Sequence, residues 1–240
     1  MEFEQLLENP KLYRCGDNYR AINIVFPVMF EGEKYVVKKA GLLSSVVNLY
    51  YALQDGLFYQ TRGVGTATER LQREASCLKS LAGCSAPNIC AYNGNTIVRE
   101  YLDGTPFRDL SDSKREIALM EGFRSLQAIH RKGVIVGDAH VKNILLSGYD
   151  AYWMDFDGYF YEQERFTALE TIDILKFVYS TYSETRNEKM TLHAAEVARS
   201  HYEFDQNTVD LDLSTLRLWF PTRIPIDGRL NKEIKQILLR

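Results

Sequence analysis

The chain has 240 residues and a mass of 27.7 kDa, enough for one large domain or two small lobes. Apolar residues make up 45% and charged residues 25%, ordinary globular values that exclude a disordered chain. A net charge of −3 and a pI near 5.9 argue against nucleic acid as a partner, because a general nucleic-acid binder is usually basic.

The acidic opening MEFEQLLENPK lacks the apolar core of a signal peptide. No stretch approaches the ~20 consecutive apolar residues of a membrane span. In residues 11–40, AINIVFPVMF and EKYVVKKA are rich in Val, Ile, Phe and Tyr and read as strands, joined by the turn signal EGE. Residues 42–60 place Leu42, Val46, Leu49 and Leu53 on one helical face. TRGVGTAT breaks that pattern, and a second helix is expected from Thr68 to Ala82, with Leu71, Ala75, Leu78 and Ala82 in line. Two or three short strands follow in CSAPNICAYNGNTIVREYL. DGTPFRDLSDS has the composition of a linker, and a long helix is expected from Lys114 to Lys132. GVIVGD and YDAYWMDF read as short apolar strands bracketing NILLSG, and from Phe166 onward the pattern is mostly helical. Cys15, Cys77, Cys84 and Cys90 form no C-x-x-C pair, so reduced thiols are expected. This order predicts an α+β chain of two lobes with a cleft between them: an antiparallel-sheet lobe over 1–100 and a compact, mainly helical lobe over 101–240, with a connector near 99–106.

The chemistry concentrates in VIVGDAHVKNILLSGYDAYWMDFDG, where each of two apolar runs ends in an aspartate. Phosphoryl transfer needs a cation on the phosphates, a metal bridge and an acceptor hydroxyl held in line. Asp138, on a loop, is suited to accept a hydrogen bond from such a hydroxyl. Asn143 and Asp155 offer the hard oxygen ligands that suit Mg²⁺.

Asp138-x-x-x-x-Asn143, an apolar strand, then Asp155-Phe156-Asp157-Gly158 resembles the catalytic and metal-binding loops of the protein-kinase-like superfamily. The resemblance spans residues 11–180. It implies a two-lobed kinase-like fold that uses ATP and Mg²⁺. Lys38 in YVVKKA would pair the α/β-phosphates, and Glu74 in LQREASCLKSL would hold that lysine. Glu100, Tyr101 and Leu102 would read adenine through the backbone. Asp138, Lys38 and Glu74 are the catalytic set so implied, and Asn143 and Asp155 the metal ligands.

Gly137-Asp138-Ala139-His140, in place of His-Arg-Asp, is similar to sugar and small-molecule phosphotransferases. Together with the compact length, it most resembles the lipopolysaccharide core heptose/Kdo kinases, with RIO-type kinases next. The implied acceptor is a sugar or lipid-linked sugar, modified in the cytoplasm, with peripheral contact at the inner membrane face. An atypical serine/threonine protein kinase and a non-catalytic pseudokinase scaffold are the alternatives.

Several residues keep two readings. Lys39 competes with Lys38, and Glu69 with Glu74. His140 either braces the loop or binds the acceptor. Asp157 is a third metal ligand or a turn acid. Asp173, in ETIDILKF, anchors the catalytic loop or is a helix N-terminal acid. The glycine-rich loop is reduced to Gly16, with Asn18 and Arg20 as possible substitutes. YDAYWMDFDGYFYEQERF could stack on a sugar ring or serve as packing. From Ser214 on, six Lys/Arg against two acids suit either an anionic membrane or a solvated helix face.

Overall fold

A computed structural model describes residues 3–19, 24–41, 66–156, 166–204, 209 and 227–240. The chain divides into two compact units, one made of Met1–Asp103 with Phe156–Tyr161, the other of Gly104–Asp155 with Glu162–Arg240. The helix expected over 42–60, with Leu42, Val46, Leu49 and Leu53, lies outside the described residues, as do Arg20, Asp157 and the LWFP segment. Among the described residues, no helix is long and apolar enough to cross a membrane.

The first unit is built on an antiparallel sheet. Strands β1 (Ile24–Phe30), β2 (Glu33–Lys39), β3 (Ile89–Tyr92) and β4 (Thr96–Glu100) lie in the order β1-β2-β4-β3. Glu31 and Gly32 both have positive φ, 52° and 85°, the geometry of a tight hairpin whose twist matches the strands it joins. Pro27 is tolerated because β1 is an edge strand, where a missing N–H costs no ladder bond. Successive strand residues alternate between the two faces. Phe26, Val37 and Val98 are cross-strand neighbours on one face, where Leu6 of helix α1 (Glu4–Glu8) covers them. Lys38 and Arg99 fall on the other face with Val36 and Ile97.

Helix α2 (Ala67–Ser80) packs against β3 and β4. A capping box starts it: Glu69 N–H donates to Thr66 Oγ1 at 3.3 Å, and Thr66 N–H donates to Glu69 Oε2 at 2.6 Å. That start sets the helix phase and buries Leu71, Glu74, Ala75 and Leu78 on one stripe.

In the second unit, β5 (Thr105–Pro106), β6 (Ile144–Ser147) and β7 (Asp150–Trp153) form a small antiparallel sheet. The helices are α3 (Asp112–Arg131), α4 (Phe166–Thr185), α5 (Glu188–His201) and α6 (Gly228–Leu238). Two expectations are corrected here. The segment expected to be a linker contains β5 and a 3₁₀ turn (Phe107–Asp109), because Phe107 and Leu110 are buried and anchor it. NILLSG supplies β6 itself, while Val134–Val136 is no strand although all three residues are buried. Its main-chain donors go to a side chain, as described below.

The core of this unit centres on Phe177 of α4. Its ring lies 4.3 Å from that of Phe123 and 5.1 Å from that of Trp153. Trp153 Nε1 donates to Ser125 Oγ at 3.0 Å, so the indole is buried without an orphaned donor. Gly122 on α3 lets Phe177 approach: a Cβ there would come within 2.6 Å of Cζ of that ring. Helix propensity alone would favour Gly122→Ala by about 1 kcal/mol. The clash with a fixed aromatic ring outweighs it, because overpacking costs about 1–3 kcal/mol. Gly122→Ala is therefore expected to lower the urea unfolding midpoint; a raised midpoint would mean that the ring yields and propensity decides.

Candidate active site

In the first unit, Lys38 is 3% exposed and Glu74 is fully buried, and Lys38 Nζ lies 2.5 Å from Glu74 Oε2. Burying either charge alone would cost several kcal/mol, so the pair is mutually required. Glu74 holds a second cation, with Arg99 Nη1 3.4 Å from its Oε1. The rival assignments separate on physical grounds: Glu69 is the capping acid of α2, and Lys39 is only half-buried. Sequence reasoning missed Arg99. The available signal was strand alternation, since Arg99 pairs with Val36 and so shares a face with Lys38.

The connector residues Glu100, Tyr101 and Leu102 follow directly on β4. Glu100 is tied to Asn88: its N–H donates to Asn88 O at 2.9 Å, and its Oε2 accepts from Asn88 Nδ2 at 2.9 Å. Lys34 Nζ sits 5.2 Å from the Tyr101 ring centroid, a cation–π contact. Among the described residues, the main chain of Tyr101 and Leu102 bonds to no other main-chain group outside the strand ladders. Gly16 packs on Pro27, where a Cβ would come within 2.8 Å of Cγ, and Asn18 is exposed.

The second unit carries Asp138, Asn143 and Asp155. Asn143 Nδ2 donates to Asp138 O at 2.8 Å and to Asp138 Oδ2 at 3.0 Å. With the amide nitrogen so committed, Oδ1 of Asn143 is the atom suited to a cation. Met154 N–H donates to Asn143 O at 2.9 Å, which fastens the residue before Asp155 to the loop. An amide oxygen and a carboxylate fit Mg²⁺, which accepts few protein ligands and keeps its waters.

The Asp138 side chain is 44% exposed, open enough to meet a second molecule. Burial works to raise its pKa. The charges of Lys142, Lys176 and His140 and the Asn143 hydrogen bond outweigh burial and hold the carboxyl at about 2. Lys142 Nζ is 3.4 Å from Oδ2. The Asn143 and Lys142 contacts both fall on Oδ2.

Asp173 sets the loop. It is fully buried in the interior of α4, well past the first turn, so the helix N-terminal reading is excluded. Its Oδ2 accepts from Val136 N–H at 2.7 Å and its Oδ1 from Gly137 N–H at 2.8 Å. Gly137 has φ +82°, which a side chain would make costly. Further along, Val141 N–H donates to Ser180 Oγ at 3.0 Å, and Lys176 Nζ donates to Gly137 O at 2.5 Å. Lys176 and Ser180 were not foreseen. Their signal was three polar residues, Asp173, Lys176 and Ser180, at helical spacing inside an apolar run. His140 is buried; its Nδ1 accepts from Lys142 N–H at 3.2 Å and its Nε2 lies 3.9 Å from Glu184 Oε1, contacts that brace the loop.

Trp153 and Phe156, from the aromatic segment considered for sugar stacking, are both buried, and Trp153 packs in the core. At the C-terminal end, Arg229 is engaged by Glu188 at 2.7 Å and by Glu233 at 3.2 Å.

No protein-family model matches the chain, and no curated protein matches it. The chain is similar to a solved structure titled "WaaP in complex with acyl carrier protein". Identity is 15%, coverage is 96% of this chain and 92% of that chain, and the TM-score is 0.47.

His130 of α3 supports Asp173 from behind. Its Nε2 is 3.2 Å from Asp173 Oδ2, and its Nδ1 is 3.0 Å from Tyr202 Oη and 3.4 Å from Glu170 Oε1. Burial lowers its pKa, but the hydrogen bonds its ring donates to Asp173 and Glu170, and the charges of those carboxylates, prevail and raise it above the ordinary value. A folded pKa above the unfolded one stabilises the protein fully below about pH 6.5, and the gain is lost as pH rises through the folded value. The difference in Tm between the wild type and His130→Asn is therefore expected to be largest near pH 6 and to shrink as the pH rises from there. A difference that grows with pH would reverse the assignment.

Proposed function

We propose that this chain is an ATP- and Mg²⁺-dependent phosphotransferase with an alcohol acceptor. The observation that carries this reading is Asp138: a half-exposed carboxylate, kept ionised, with Asn143 and Lys142 both on Oδ2. The buried Lys38–Glu74 pair supports it, since a lysine held rigidly by a carboxylate is suited to phosphate charge.

In this reading Lys38 neutralises the α- and β-phosphates, and Tyr101 and Leu102 offer main-chain groups to adenine. Asp138 Oδ1 accepts a hydrogen bond from the acceptor hydroxyl and aims its oxygen at the γ-phosphorus. A bond forms between that oxygen and phosphorus, the bond to the ADP oxygen breaks, and the hydroxyl proton passes to Asp138. With a pKa near 2, Asp138 is a weak base, so it orients the hydroxyl and takes the proton late. Mg²⁺, when bound by Asn143 Oδ1 and the Asp155 carboxylate, supplies positive charge to the phosphate oxygens.

The acceptor class follows the Gly137-Asp138-Ala139-His140-Val141-Lys142-Asn143 motif, which resembles that of sugar phosphotransferases. The reading is a sugar hydroxyl of the lipopolysaccharide inner core, modified at the cytoplasmic face of the membrane. The test supplies γ-labelled ATP, Mg²⁺ and a membrane extract, then partitions the label among lipopolysaccharide, protein and small molecules. Label in lipopolysaccharide is expected, while label in protein would replace the sugar with a protein acceptor. Asp138→Ala is expected to lower transfer by about 10²–10⁴-fold with nucleotide binding retained. Asp155→Ala is expected to weaken Mg²⁺-dependent nucleotide binding. Full transfer by Asp138→Ala would overturn the proposal.

A further inference from the structure

Arg99 lies in β4, between β2 and β3, with Val36 opposite it on one side and Ile89 on the other. It is 5% exposed. An interior strand position with that exposure is ordinarily apolar, because a guanidinium taken out of water loses its hydration. The guanidinium reaches Glu74 of α2: Arg99 Nη1 donates to Glu74 Oε1 at 3.4 Å, while Lys38 Nζ holds the other oxygen, Oε2, at 2.5 Å. Strand register explains how two cations meet one acid. Lys38 pairs with Ile97 and Val36 with Arg99, so Lys38 and Arg99 stand on the same face of adjacent strands. Helix α2, packed on β4, brings Glu74 to both.

The two cations differ in kind. A lysine ammonium is a compact charge on a flexible stem, with three donors it can divide between partners, whereas a guanidinium is planar and permanently charged. In the function proposed above, Lys38 turns to the phosphates of a nucleotide. As it does so its hold on Glu74 weakens, and a fully buried carboxylate that loses its cation is strongly destabilised. A second cation on the other oxygen offsets that cost. We propose that Arg99 is a positioning residue for Lys38: its ion pair with Glu74 keeps the buried carboxylate compensated and in place while Lys38 shares its charge with the phosphates. The assignment rests on the reading of Lys38 as the phosphate-binding lysine. Arg99 acts through Glu74, without contact to the phosphates.

The test measures binding by calorimetry in the full chain, with MgATP, inorganic tripolyphosphate and adenosine as separate probes. Arg99→Met removes the cation and leaves Lys38 on Glu74, so the nucleotide-free variant is expected to fold. Its affinity for MgATP and for tripolyphosphate is expected to fall about tenfold, within the range of coupling between residues in one ion-pair network. Adenosine, which carries no phosphate, should bind as in the wild type. Arg99→Lys, which retains the charge, should restore most of the lost affinity. In a Glu74→Gln background the Arg99→Met change should cost nothing further, since the acid it serves is gone. Unchanged polyphosphate affinity in folded Arg99→Met would overturn the proposal. So would an equal loss with and without Glu74, which would put Arg99 on the phosphates directly. An equal loss for adenosine, or loss of the fold, would also overturn it by assigning the arginine to stability alone. Arg99-dependent binding of tripolyphosphate without phosphate transfer from ATP would fail the phosphotransferase reading and leave the inference standing. No binding of MgATP or tripolyphosphate by the wild type would end both.

Discussion

The carboxylate of Asp173 is the interaction on which the second unit's loop depends. Residues 134–136 are buried and belong to no strand, so the N–H groups of Val136 and Gly137 lack a ladder partner. A buried donor left unsatisfied costs about 1–3 kcal/mol, and a buried carboxylate without donors costs more. Asp173 resolves both at once by accepting the two N–H groups, with His130 against its Oδ2. The position of Asp138 is thereby set by helix α4, with helix α3 as backing.

The two units use carboxylates in opposite ways. Glu74 is fully buried between Lys38 and Arg99, where its charge serves to hold cations in place. Asp138 is half-exposed, and neighbouring cations keep it ionised against the effect of burial. A carboxylate enclosed by two cations has no access to a second molecule. A half-exposed one keeps that access while its charge is held.

The elements most legible in the sequence were those with local causes. The hairpin β1–β2 followed from β-branched alternation and a turn containing Gly32. The stripe of α2 followed from a 3.6-residue period, and its phase separates Glu74, facing in, from Glu69, capping the end. Composition misled where it stood in for a hydrogen-bond partner. GVIVGD and NILLSG are both short and apolar, yet only the second lies in a ladder, paired with β7. An apolar run shows that a segment is buried, but not whether its N–H groups meet a strand or a side chain.

Sequence by itself determined the periodicities, the turn positions, the α+β order of elements, and the pairing of acids with an amide around residues 138–155. These depend on residues a few positions apart, whose relation is set by backbone geometry alone. Only the tertiary structure decided that Arg99 shares Glu74 with Lys38, and that Asp173, Lys176 and Ser180 meet residues 136–141 from more than thirty positions away. Those contacts arise because buried polar groups must find partners wherever the packing brings them, and that choice carries no local signature.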